Sequence, residues 1–341
     1  MQYDVTIGIP VYRTAAYVRR ALESALRQDC PALEVLVVDD GSDDGSMDIV
    51  RHLQSGHPKG TAIRIVSHPA NQGVSASRND IIAAARGEYL YFLDSDDMMA
   101  DGALSLLLQS ARNYNAEVVF GSYQKIGLAG ERQTFRYPSL QLLGTDQLAC
   151  FAYRKYGGIQ ASACNCLVRT SLLRSAGLRF VEADYWEDLV FTADLVTLVS
   201  RAVLLPDITY FYYCREGSLS HYQAREQVQK DEILSNVRTV GHLRDALPAL
   251  SDKAYFPNRC LFMVMTGFYM ACNVLKRRHD IVPPVTDSEI KAMVSHPASL
   301  SRICTFRQSR LKNLAFCLVG LLPSSLCVSA VWCLGKMKKL I

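Results

Sequence analysis

The sequence predicts an α/β protein: a Rossmann-like, mostly parallel sheet flanked by helices, with a helical C-terminal extension. Two observations carry this reading. Through roughly the first 120 residues, short apolar runs alternate with amphipathic segments, as βαβ units require if helices are to cover both faces of a parallel sheet. Residues 226–280 then lose that alternation and read as helical, up to a break at Pro283-Pro284.

The elements follow in order. Val5–Val11 is a strand. Over Ala15–Gln28, the residues Val18, Ala21, Leu22, Ala25 and Leu26 recur at helical spacing on one face. Glu34–Val38 is a near-continuous apolar strand, Ser46–Leu53 a short helix and Ile63–Ser67 a third strand. Ser75 is placed to cap a helix running to about Arg86, with Gly87 placed to end it. Tyr89–Leu93 is a fourth strand, Ala103–Tyr114 a helix and Glu117–Gly121 a further strand. Residues 160–215 mix short strands and turns.

Composition excludes several classes. Hydrophobic residues make up 49% and charged residues 21%, a globular balance with a real core. The net charge of +4 is small for 341 residues and gives no case for nucleic acid as a partner. None of the 11 cysteines forms a C-x-x-C pair. Cys164 and Cys166 stand too close for a zinc knuckle, so the thiols read as reduced and buried, in a reducing compartment. The opening MQYDVTIGIPVY lacks the basic and long apolar regions of a signal peptide.

Ligands of open α/β sheets bind at the carboxyl ends of the strands. Three polar loops fall there: 39-DDGSDD-44, 71-NQG-73 and 94-DSDD-97. Asp94, Asp96 and Asp97 would repel one another unless a cation sat among them. Carboxylates at i and i+2 on a turn can share one hard divalent ion, and Mg²⁺ or Mn²⁺ prefers few carboxylates plus substrate phosphates. The alternative is an Asp-rich turn in which Asp97 caps the next helix. Neither G-x-G-x-x-G nor G-x-x-x-x-G-K-[ST] is present, so a nucleotide must be held by other means.

The motifs resemble those of the family 2 glycosyltransferases of the GT-A fold. IPVYR is similar to the family's IPVYN, and VVDDGSDDGS to its VDDGSxDGS. NQGVSASRNDIIAAARGEYLYFLDSDD follows the family pattern almost without gaps. YWEDLVF is similar to its ED-x-x-F, and YFYYCREGSLSH to its Y-Y-Y-R-x-x-x-S-x-S stretch. The likeness spans roughly residues 3–221.

The resemblance implies roles at the matching positions. Pro10, Val11 and Tyr12 would line the base and ribose pocket. Asp40 would contact the base with Asp39 beside it, and Arg78 would lie near the diphosphate or the base. Asn71, Gly73 and Ser95 belong to the same donor site. Asp94 and Asp96 form the D-x-D, with Asp96 the direct metal ligand and Asp94 nearer the ribose. Arg215 would hold the diphosphate, and His221 could complete the metal shell, although a lone His is more often structural. Asp188, beside Glu187, would be the catalytic base. Trp186 and Phe191 flank the pair and would raise its pKa, although carboxylates at a helix N-terminus need no catalytic reason. Arg13 stands where the family usually has Asn, and Ser77 where Ala is usual. Arg13 either reaches a phosphate or is solvated.

The expected reaction is inverting transfer of a hexosyl or N-acetylhexosaminyl group from a nucleotide sugar, UDP-linked, to a hydroxyl of a glycan or lipid-linked acceptor. Assembly of a surface polysaccharide or glycolipid would use it. The alternatives are a sugar-nucleotide nucleotidyltransferase and a non-catalytic glycan-binding protein. The expected organisation is a glycosyltransferase domain over 1–221, with a nucleotide-sugar half over about 1–122 and an acceptor half over about 123–221. A helical extension over 222–308 and a basic, apolar tail over 309–341 follow. In the tail, Leu314–Leu334 is apolar and flanked by Arg310, Lys312, Lys336, Lys338 and Lys339, but Pro323 interrupts it. Two short helices lying on a membrane surface fit better than one span. A helix pair packed on the protein is the other alternative. The expected place is the cytoplasm, at the cytoplasmic face of the membrane.

Overall fold

The computed structural model of the chain describes residues 3–155, 159–183, 185–215 and 227–341. The chain divides into two compact units. The first comprises Met1–Leu148, Gln160–Asp184 and Leu195–Ser218, and the second Ala149–Ile159, Tyr185–Asp194 and Leu219–Ile341.

The first unit begins with β1 (Tyr3–Val11), α1 (Val18–Leu26), β2 (Leu33–Asp39), α2 (Ser46–Gly56), β3 (Ile63–Ser67), α3 (Val74–Ala84) and β4 (Gly87–Phe92). These four strands lie in the order β3-β2-β1-β4 and are all parallel. All seven residues of β2 are buried, the pattern of a strand covered on both faces. Glu34 is tolerated there because its carboxylate accepts hydrogen bonds from Thr6 Oγ1 (2.6 Å), Arg64 Nε (2.8 Å) and the Arg86 amide (2.9 Å). A Cβ on Gly8 would lie 2.3 Å from the Ile81 side chain, so only glycine lets α3 pack this closely on β1.

The chain continues through β5 (Met98–Met99), α4 (Ala103–Asn113), β6 (Val118–Ile126), β7 (Arg132–Phe135), β8 (Leu140–Leu142), α5 (Gln147–Cys150), β9 (Cys166–Arg169), α6 (Thr170–Ser175), α7 (Glu187–Leu198) and β10 (Ala202–Tyr213). Strand β9 enters between β4 and β6 and runs against both, while β10 lies parallel to β6. The sheet order is β3-β2-β1-β4-β9-β6-β10-β5, with β7 beside β6 and β8 beside β10.

Three local expectations are corrected. Ser75 does not cap α3. Gly73, at φ +91°, stands at the cap position, and Ser75 Oγ donates to the Ala183 carbonyl at 3.1 Å. Gly87 ends no helix but opens β4, where a Cβ would lie 2.3 Å from the Thr6 nitrogen. Asp97 caps no helix either, since Gly102 precedes α4 and the Asp97 carboxylate is engaged in the interior.

The second unit contains β11 (Val228–Gln229), α8 (Lys230–Gly241), α9 (Leu247–Leu250), α10 (Phe256–Lys276), β12 (Ile281–Val282), α11 (Asp287–Met293), α12 (Leu300–Cys304), α13 (Arg310–Leu321) and α14 (Ser324–Met337). Its core joins Phe268, Ala271 and Cys272 of α10 to Ile290 and Met293 of α11 and to Cys327 and Val331 of α14. Arg259 of α10 is fully buried. It donates to the Tyr153 hydroxyl, to the Ala193 carbonyl at 2.8 Å and to the Asp194 carboxylate at 2.7 Å. All eleven cysteines are free thiols.

Helices α13 and α14 present two faces. Asn313 and Cys317, and then Cys327, Val331 and Gly335, are buried at helical spacing. On the other side Leu311, Leu318, Leu321, Leu326, Trp332 and Met337 are exposed. No helix among the described residues is long and apolar enough to cross a membrane.

Candidate functional site

The parallel register builds the site. Val11 pairs with Asp39, and Gly8 with Phe92, so the residues after β1, β2 and β4 reach one edge of the sheet. Pro10, Asp39 and Asp94 belong to that edge because strand length and register place them there. The loop after β2 turns back sharply at Gly41, where φ is +75° and a Cβ would lie 2.9 Å from the Ala70 backbone. Asp39 Oδ1 accepts the Ser42 amide at 2.9 Å, which closes this turn.

The loop after β4 answers the question of how neighbouring carboxylates coexist. Asp94 Oδ1 accepts from Arg78 Nη2 at 2.9 Å, and Arg78 is itself buried with its guanidinium 5.3 Å from the Phe180 ring centroid. Asp96 receives Arg215 Nε, and its carbonyl accepts Arg20 Nη2 at 2.6 Å. Arg20 stacks 3.8 Å over Tyr213, and Arg215 lies 5.4 Å from the Tyr17 centroid. Asp97 is buried and accepts from the Tyr210 hydroxyl at 2.6 Å and the Tyr213 amide at 2.8 Å. Burial first, and then the Asp94 charge, raises the Asp96 pKa, with the Arg215 pair acting the other way. Asp97 is raised well above the usual carboxylate range by burial and by the charges of Asp94 and Asp96. Three arginines and two tyrosines therefore hold an edge where negative charge would otherwise accumulate.

Asp40 is held by the loop that follows β3. Its carboxylate accepts the amides of Gln72 (2.8 Å) and Gly73 (2.9 Å) and contacts His68 Nδ1 at 2.7 Å. His68 Nε2 reaches Asp80 at 2.8 Å. Burial alone lowers the His68 pKa, but the bonds to Asp40 and Asp80 outweigh it and the net shift is upward. Asp40 thus ties the 71–73 loop to β2. Of the remaining expected residues, Val11 and Ser95 are buried, Pro10 and Gly73 half-buried, and Tyr12 and Asn71 exposed. Arg13, at φ +51°, pairs bidentately with Asp43 at 2.7 Å, a solvated ion pair rather than a group aimed at a phosphate.

Glu187 and Asp188 open α7 and belong to the second unit, Glu187 buried and Asp188 half-buried. Phe191 is buried one turn on. His221 and the rest of 216–226 lie outside the described residues. Among the described residues no three His, Cys, Asp or Glu side chains converge on a metal position. Asp94 and Asp96 are nevertheless hard oxygen donors of the kind Mg²⁺ and Mn²⁺ take, with substrate phosphates left to complete the shell.

Sequence reasoning passed over Arg20 and His68. Arg20 reads as part of the polar face of an amphipathic helix, and only the fold brings it to Asp96. His68 carried a faint signal, a lone His one residue past β3 at the edge that holds Asp40.

The sequence matches the family model for Glycosyl transferase family 2 over residues 6–176. Succinoglycan biosynthesis protein ExoO of Rhizobium meliloti is 27% identical over 318 residues, covering 92% of this chain and 87% of that protein. A cholesterol galactosyltransferase of Borreliella burgdorferi is 26% identical over 228 residues, covering 64% of this chain and 62% of that one. Among solved structures, S. aureus TarS 1–349 in complex with UDP-GlcNAc superposes with a TM-score of 0.59 at 21% identity. That superposition covers 93% of this chain and 90% of TarS 1–349, a likeness of fold.

Proposed function

Because the chain belongs to glycosyl transferase family 2, we propose that it moves a hexosyl or N-acetylhexosaminyl group from a UDP-sugar to an acceptor hydroxyl with inversion. The observation that carries this reading is the pair Asp94 and Asp96 on one turn at the carboxyl edge of the sheet, each carboxylate already facing an arginine. The UDP-GlcNAc complex of TarS supports a nucleotide-sugar donor. The succinoglycan and cholesterol-glycoside names of the relatives support a role in surface polysaccharide or glycolipid assembly.

The acceptor oxygen forms its bond to the anomeric carbon as the carbon–phosphate-oxygen bond breaks, and that electron pair leaves with UDP. Asp188 takes the hydroxyl proton, a role that contributes about 10²–10⁴-fold where it operates. Asp94 and Asp96 would hold Mg²⁺ or Mn²⁺, an ion that neutralises a leaving diphosphate. Pro10, Val11, Tyr12, Asp39 and Asn71 bound the nucleotide side of the edge. Asp40 contacts the base with Asp39 beside it, and Arg78, Ser95 and Arg215 surround the D-x-D. The donor half corresponds to about residues 1–122 and the acceptor half to about 123–221. Mixing the chain with a panel of UDP- and GDP-sugars, with and without Mn²⁺, tests the reading. Mn²⁺-dependent release of UDP from one or two donors is expected, and release from none would overturn it.

The exposed residues Leu311, Leu318, Leu321, Leu326 and Trp332 lie between Arg310 and Lys312 at one end and Lys336, Lys338 and Lys339 at the other. This supports a peripheral contact with an anionic cytoplasmic membrane face, at about 1 kcal/mol per basic residue near such a surface.

A further inference from the structure

The second unit contains a cavity of about 180 Å³ formed by α8, α10, β12 and the residue that precedes α7. Its lining includes the apolar Ile233, Met270 and Val274, the indole of Trp186, the amides of Asn236 and Asn273, and the exposed Lys276. Two features have no structural explanation. Asn236, in the middle of α8, is only 5% exposed, yet among the described residues its side chain has no hydrogen-bond partner. Its amide is not fully enclosed by protein but is reached from the cavity it lines, where a ligand can meet it. Trp186 is held at φ +69°, a left-handed backbone that bulky residues rarely adopt. Such strain persists where the surroundings enforce it, and it concentrates at ligand sites.

The walls identify the ligand. Pockets that enclose a whole small ligand measure about 300–1,000 Å³, so this cavity takes only a segment of one. A sugar carries a hydroxyl on almost every carbon and would leave those facing Val228, Ile233, Met270, Val274 and Ile281 unpaired, while Asn273 and Arg277 add polar groups on the rest of the lining. A hydrocarbon chain meets those walls without penalty. Asn236 and Lys276 then call for a polar, negatively charged group at one end. Lys276 forms no ion pair among the described residues, whereas its neighbour Arg277 is held by Asp280 at 3.2 Å.

We propose that this cavity binds the hydrocarbon segment of a phosphate-bearing lipid acceptor, with Asn236 on its polar junction and Lys276 on its phosphate. The word acceptor rests on the glycosyltransferase reading above; the binding itself does not. Trp186 directly precedes Glu187 and Asp188, so a chain seated against it is held beside the start of α7.

The chain has two tryptophans, so Trp332→Phe leaves Trp186 as the sole emitter at the cavity. This full-length variant, without donor or metal, is titrated with dodecyl phosphate below its micelle concentration. A saturable change in Trp186 emission is expected. Its affinity should rise about fourfold per methylene along the hexyl-to-dodecyl series until the cavity is full. It should fall about tenfold with Lys276→Gln, a substitution at an exposed position that leaves the fold intact. The proposal is overturned by no saturable change, by an equal change with inorganic phosphate or dodecanol, or by a response that Lys276→Gln leaves unaltered. A response to phosphatidylglycerol vesicles but not to monomeric dodecyl phosphate also overturns it, since that places the phosphate in a bilayer. Failure of sugar transfer in the donor panel does not change any of these readings.

Discussion

At the sheet edge of the first unit, buried charge is met by protein: Arg78 faces Asp94, Arg215 faces Asp96, and Tyr210 with the Tyr213 amide holds Asp97. In the second unit the cavity does the reverse, its lining residues Asn236 and Lys276 having no side-chain partner among the described residues. A balanced site is stable before its ligand arrives and must exchange partners when it binds. An unbalanced one gains its missing partner on binding. The first suits a site that takes up and releases a highly charged nucleotide each turnover. The second suits a pocket in which the ligand supplies the absent polar group.

The largest expected effect is at the proposed base. Asp188→Asn should lower transfer by about 10²–10⁴-fold while UDP affinity is unchanged. Steady-state rates alongside UDP titration separate the two, and transfer near the normal rate would remove Asp188 as the base. Next comes a buried ion pair that belongs to neither site. Arg259→Met strands Asp194 and the Tyr153 hydroxyl inside the second unit and should cost about 3–5 kcal/mol. Chemical unfolding checks it, and a loss under about 1 kcal/mol would contradict the assignment of that pair to the core.

The helical face of α13 and α14 should give a smaller change. Leu321→Asp together with Trp332→Asp should reduce sedimentation with anionic vesicles severalfold without shifting the unfolding midpoint, because both side chains are exposed. An unchanged bound fraction would leave the face as plain surface. The smallest effect is one of pH. His68 has a raised folded pKa, so its stabilising contribution is full below the unfolded value of about 6.5 and is lost as pH rises through the folded one. Thermal unfolding should show the wild type exceeding His68→Gln most at low pH, with the gap narrowing toward alkaline pH. A gap that widens instead would contradict the Asp40–His68–Asp80 arrangement.

Much of the first region was legible in the sequence because its signals are local. Apolar runs such as LEVLVV specify buried strands, and loops such as DDGSDD and DSDD announce an edge rich in carboxylates. Gly87 misled because a helix-ending and a strand-opening glycine look alike until the packing of Thr6 is known, and Ser75 because its hydroxyl goes to Ala183 while Gly73 takes the cap position. Arg20 was illegible because a basic residue on an amphipathic helix looks solvated, and its approach to Asp96 depends on strands far apart in the chain. Asp97 looked like a cap and is an interior acceptor for Tyr210, more than a hundred positions away. The second region was less legible still. Asn236 and Lys276 occur in ordinary helical sequence, and only the assembled helices bring them to one cavity.

The central claim is that Asp94 and Asp96 form a metal-assisted nucleotide site. Calorimetric titration of UDP into the full chain and into Asp96→Asn, each with and without Mn²⁺, tests it most directly. The account predicts UDP binding that strengthens at least tenfold with Mn²⁺ in the wild type, about 1.4 kcal/mol, and no such strengthening in Asp96→Asn. Equal, Mn²⁺-indifferent binding of UDP by both proteins would contradict it.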